Sequence, residues 1–125
     1  FNVYQPFSSF TGTMTLHGPG CFDDREVEGM KWLHKNFGEK RSLYFSVHGK
    51  KLALGYFGYR GLVFSADTEF YPEAYIFVAL DNTEYNIILE RPGSIEYKYL
   101  NKSKVSKQLL LRNKIYDAKK VYIFT

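Results

Sequence analysis

At 125 residues and 14.6 kDa the chain has room for one hydrophobic core and not for two, so residues 1–125 are read as a single domain. Eleven Tyr, eleven Phe and one Trp make it 18% aromatic, and the formal charge is +4 at a sequence pI near 9.1. No apolar run approaches the roughly 18 residues that cross a bilayer, which excludes a spanning helix, and a lone cysteine, Cys21, excludes an internal disulfide.

Bulky rings favour a pleated, half-buried surface, and turn signals recur about every eight to twelve residues. The pattern predicts strands at Thr13–Leu16, Met30–His34, Leu43–Val47, Leu52–Gly55, Leu62–Ser65, Tyr75–Leu80, Tyr85–Leu89, Ile95–Leu100, Lys107–Leu111 and Val121–Phe124. Turns fall between them at His17-Gly18-Pro19-Gly20, Asn36-Phe37-Gly38, His48-Gly49, Gly58 to Gly61, Asp81-Asn82 and Arg91-Pro92-Gly93, supplied by Gly's access to positive φ and by Pro's fixed, negative φ. Glu69 to Glu73 and Asp117 to Lys120 each suit a single helical turn. Asp23-Asp24-Arg25-Glu26 reads as an acidic surface loop.

Trp32, Phe77 and Phe124 recur at a spacing of roughly 45 residues, which divides the chain into three units. Leu43–Val47 corresponds to Tyr85–Leu89 and Leu62-Val63-Phe64 to Leu109-Leu110-Leu111 in this division. Three units of about four short strands predict an all-β fold, a β-trefoil of about twelve strands whose closure protects its edges. A lipocalin-like barrel is the rival, and Gly29 and Trp32 stand one residue too far apart for its usual opening.

Gly49-Lys50-Lys51-Leu52-Ala53-Leu54, Gly61-Leu62-Val63-Phe64-Ser65, Glu73-Ala74-Tyr75-Ile76-Phe77, Leu80-Asp81-Asn82 and Tyr85-Asn86 resemble the central region of the fibroblast growth factors. The resemblance is that of a distant member, with Ala74 where the family has a near-invariant Cys. It implies a secreted, monomeric signalling ligand that binds heparan sulfate and the ectodomain of a receptor tyrosine kinase. Heparan sulfate would meet Asn101, Lys102, Lys107, Arg112, Lys114, Lys119 and Lys120, in the part of the chain where positive charge concentrates. The receptor would meet Phe7, Glu73, Tyr85, Asn86 and Phe124. Asn101-Lys102-Ser103 is also a glycosylation sequon. Secretion agrees with a chain that begins at Phe1 without Met, as after removal of a leader.

Two other classes stay open: a carbohydrate-binding trefoil or trefoil protease inhibitor, and an intracellular trefoil that binds acidic or cytoskeletal proteins. Catalysis is not expected. His17, His34 and His48 lie scattered beside turns without metal-ligand spacing, and neither a phosphate loop nor a Gly-x-Ser-x-Gly elbow occurs. No cofactor, nucleic-acid partner or membrane insertion is expected.

Overall fold

A capping box at Asp23 to Glu26 opens the first helix. The Asp23 carboxylate accepts from the Arg25 N–H at 2.8 Å, and the Glu26 carboxylate reaches back to the Asp23 N–H at 3.1 Å. The computed structural model describes residues 4–6, 10–12, 22–37, 42–58, 60–91, 93 and 95–125. From Asp24 to Phe37 runs helix α1, with Asp24 and Glu26 in its first turn and His34 and Lys35 in its last, as the helix dipole favours. Glu26, Gly29, Met30 and Leu33 are its buried residues, and their three-to-four spacing is one helical face. Ahead of it, the short strands β1 (Tyr4–Pro6) and β2 (Phe10–Gly12) pair antiparallel.

Strand β3 (Leu43–Phe45) runs directly into helix α2 (Val47–Phe57), because the Ser46 hydroxyl caps the helix by accepting from the Gly49 N–H at 3.0 Å. Gly58, at φ +65°, ends α2 by donating its N–H to the Leu54 carbonyl. The chain returns as β4 (Leu62–Val63), parallel to β3, and then as β5 (Tyr75–Val78), parallel to β3 on its other side. The short helix α3 (Leu80–Thr83) follows, then an antiparallel hairpin of β6 (Ile87–Leu89) and β7 (Tyr97–Tyr99). A 3-10 turn at Leu100–Lys102 leads into helix α4 (Lys104–Leu110), and β8 (Lys114–Ala118) and β9 (Val121–Phe124) close the chain as a second hairpin.

The main sheet has the order β4-β3-β5-β9-β8, parallel on one side and antiparallel on the other. Strand alternation sends Phe45, Tyr75, Phe77, Val121 and Ile123 to one face, where they pack with Met30 and Leu33 of α1 and Ala53 and Phe57 of α2. Tyr44, Ile76 and Val78 point to the other, where they pack with Ile88 of β6 and Val105 and Leu109 of α4. Every residue of β5 is buried because both faces of that central strand are covered.

This is a mixed α/β architecture, and the all-β trefoil is overturned. Helices occupy Met30–His34, Leu52–Gly55 and all but the last residue of Lys107–Leu111, where strands were expected, and three strands run parallel, which a trefoil of hairpins does not allow. The threefold repeat has no structural counterpart either. Trp32 lies on a helix, while Phe77 and Phe124 pack against opposite faces of one sheet. The expected strand at Thr13–Leu16 lies outside the described residues.

Gly61 makes the turn from α2 into the sheet. Its φ is +93°, a Cβ there would stand 2.5 Å from Phe45 Cε2, and the Lys50 ammonium holds the turn by donating to the carbonyls of Arg60 and Gly61. Gly61→Ala is therefore expected to cost about 2–3 kcal/mol, read as a lower urea midpoint with an unchanged slope.

Candidate functional site

The residues expected to bind heparan sulfate do not share one surface. Arg112 is half-buried, with its guanidinium donating to the Tyr71 carbonyl at 2.7 Å and, more loosely, to those of Phe70, Pro72 and Ala74 while resting over the Phe70 ring. It ties the loop before β5 to the end of α4. Lys114 opens β8, its ammonium 4.1 Å from the Tyr122 ring centre and 3.5 Å from Asp117. Lys119 and Lys120 form the β8–β9 turn at the other end of that strand. Asn101, Lys102 and Lys107 stand apart, on the 3-10 turn and α4.

The expected receptor contacts divide in the same way. Glu73 is exposed just ahead of β5, and Phe124 pairs with Ile76 near that end. Tyr85 and Asn86 follow α3, beyond the other end of β5. Asn86, at φ +57°, is occupied in joining the start of β6 to the 3-10 turn, its side chain accepting from the Asn101 N–H at 3.0 Å. Phe7 lies outside the described residues.

One exposed surface does combine aromatic and basic groups. In the β6–β7 hairpin Ile87 lies opposite Tyr99 and Leu89 opposite Tyr97, so these four side chains share the outer face. Ile88 turns inward and is fully buried, which fixes the hairpin's orientation. Tyr97 and Tyr99 are about half exposed, with ring centres 5.7 Å apart and planes near perpendicular, and the neighbouring Tyr99 hydroxyl raises the Tyr97 pKa. The Lys102 ammonium sits over the Tyr99 ring at 5.9 Å. Lys98 pairs with Glu90 and Arg91 with Glu96. From Tyr85 to Arg112 the chain carries six basic and two acidic residues, so this stretch alone equals the net charge of the whole chain.

A second polar cluster lies inside the fold. β3 leads through α2 to one side and β5 leads away to the other, which opens a switch point at their carboxyl ends. Glu26 of α1, Ser46 and His48 around the start of α2, and Asp81 of α3 meet there. Glu26, 2% exposed, accepts from the Leu80 N–H at 3.1 Å and lies 3.3 Å from His48 Nε2. The Ser46 hydroxyl donates to Asp81 Oδ1 at 3.3 Å, while Asp81 Oδ2 is buried without a hydrogen-bond partner. Burial raises the Asp81 carboxyl to about 6. Burial would lower His48, but the charge and hydrogen bond of Glu26 outweigh it, and the net direction is upward. Burial likewise raises Asp23, and its hydrogen bonds and ion pair with Arg25 prevail and lower it.

Neither polar set is arranged as a nucleophile and base. Ser46 is fully buried as a helix cap, and Glu26 is engaged by two backbone amides. Among the described residues no group of three His, Cys, Asp or Glu could hold a metal ion, and no helix is long and apolar enough to cross a membrane. Comparison of the chain with protein-family models, curated proteins and solved structures finds no match.

The sequence carried a signal for the buried cluster that the acidic-loop reading missed. Asp-x-x-Glu ahead of an apolar run is a capping-box pattern, and Glu26 is its third helical residue.

Proposed function

We propose that this chain is a binding module for an anionic polysaccharide, which it holds on the outer face of the β6–β7 hairpin. The observation that carries the reading is the exposed Tyr97–Tyr99 pair with the Lys102 ammonium over it. A sugar ring offers an apolar C–H face that packs on an aromatic ring, and its hydroxyls suit the tyrosine hydroxyls beside it. Carboxylate or sulfate groups on the same chain would pair with Lys102, Lys104 and Lys107, all exposed. Among the described residues no carboxylate lies within ion-pair distance of these three, whereas Lys98 and Arg91 already have acidic partners.

Heparan sulfate remains the first polymer to test, with a smaller contact set than expected: Asn101, Lys102 and Lys107 beside the two tyrosines. The receptor half of the expectation is not carried forward, since its contacts stand at opposite ends of β5.

The test is the salt needed to elute the protein from immobilised heparin, compared with a sulfonate cation exchanger. Heparin-selective retention is expected, falling steeply as salt rises. Tyr99→Ala and Lys102→Ala are each expected to weaken binding about 3- to 10-fold, in line with the ~1 kcal/mol typical of exposed aromatic and cation–π contacts. Equal elution from both columns, undiminished binding by both variants, or tighter binding of single-stranded RNA would each overturn the reading.

A further inference from the structure

The buried meeting point of α1, α2 and α3 has an unbalanced charge. With Glu26 and Asp81 ionised and His48 protonated, two negative groups face one positive group. Among the described residues the surrounding cations do not make up the difference. Arg25 is committed to Asp23 at 2.8 Å and to Glu84 at 3.4 Å. Lys51 is exposed, and its charge opposes a proton on His48. Lys119 and Lys120 are exposed in the β8–β9 turn and contribute their carbonyls, which accept from Arg25 and Thr83. Asp81 thus keeps one bare, buried oxygen, and an ionised carboxylate so placed opposes the packing of the helix that carries it. A proton on that oxygen removes the charge and leaves the Ser46 bond to the other intact.

We infer that this junction is a proton-operated latch, closed when Asp81 carries a proton and loosened when it ionises. The direction agrees for both titrating groups. Asp81 ionises near 4 in an unfolded chain and at about 6 here, so its stabilising contribution is complete below the lower value and disappears as pH rises through the upper one. His48 is also raised, so its contribution is present below about 6.5 and disappears as pH rises through its folded value. Both loosen the junction toward neutral and alkaline pH. Deprotonation would weaken the Glu26 grip on the Leu80 N–H, where α1 meets α3.

The experiment follows amide hydrogen exchange across pH, corrected for the intrinsic rate, in the wild type, Asp81→Asn and His48→Gln. The protection of the Leu80 amide is expected to fall about 10-fold between pH 5 and pH 8 from Asp81 alone, with a smaller fall in the β5–β9 ladder. In Asp81→Asn that fall should shrink to the part due to His48, and in His48→Gln most of it should remain. Wild-type protection independent of pH would overturn the latch, as would a full slope surviving in Asp81→Asn. Should that variant fail to fold, the carbon-13 carboxyl shift of wild-type Asp81 decides: a midpoint near 6 is expected, and one near 4 would overturn the proposal.

Discussion

Glu26→Ala is expected to destabilise the protein by about 3–5 kcal/mol, the range for removing one partner from a buried charged pair. Three separate losses combine. The Asp23 N–H at the start of α1 loses its acceptor, the buried Leu80 N–H loses its own, and His48 loses the carboxylate that favours its proton. An orphaned buried donor costs about 1–3 kcal/mol, so the two amides account for much of the total. Urea unfolding at pH 7 measures the sum. Glu26→Gln keeps an acceptor for one amide while removing the charge, and should fall between wild type and alanine. Proton NMR of His48 separates the charge from the rest: its pKa should drop in both variants, because burial and Lys51 then oppose its proton with only Asp81 left to favour it. An unchanged His48 titration in Glu26→Gln would show that the pair is not an electrostatic one.

Phe77→Ala is expected to cost about 3–5 kcal/mol, as for other buried large aromatics. The ring is fully buried in the central strand and fills the space between the sheet and two helices that approach it through glycines. A Cβ on Gly29 of α1 would lie 3.2 Å from Phe77 Cε2, and one on Gly49 of α2 would lie 3.5 Å from Phe77 Cδ1. Size is thus matched across the interface, and the match is testable by coupling. Gly29→Ala alone brings a helix-propensity gain of about 1 kcal/mol against a contact too tight by a few tenths of an ångström. In a Phe77→Leu background the contact relaxes, so the same substitution should become more favourable by about 0.5–1 kcal/mol, a coupling typical of touching residues. Strict additivity in a double-mutant cycle would mean that Val121 and Tyr116, the other neighbours of that Cβ, set the spacing instead.

Strands whose local pattern and tertiary role agree could be read from the residues alone. Leu43 to Phe45, Tyr75 to Val78 and Val121 to Phe124 are runs of aromatic and aliphatic residues, and all three form strands of the main sheet. The misreadings share a physical cause. Gly49 and Gly55 look like punctuation in Gly49 to Gly58, yet both lie inside α2, and a Cβ on Gly49 would already meet Ser46 Oγ at 3.2 Å. Met30 to His34 and Lys107 to Leu111 are short enough that an apolar strand and one face of a helix look alike. The β8–β9 turn was missed because Lys119 and Lys120 hold its positive φ values where Asn-Gly is the usual signal.

The sequence by itself determined an aromatic-rich chain, the positions of its central strands and the concentration of positive charge near the C-terminus. Only the tertiary structure decided that β3 and β5 run parallel while β9 runs antiparallel to β5, since strand direction depends on what the connecting segment crosses and not on the residues of the strand. Packing also divided the basic run. A charge's place on the surface follows the orientation of its element, and α4, β8 and the β8–β9 turn carry their lysines and Arg112 to different parts of the fold. The meeting of Glu26, His48 and Asp81 depends in the same way on the assembled sheet, which brings together residues 22 and 33 positions apart and buries them where charge matters most.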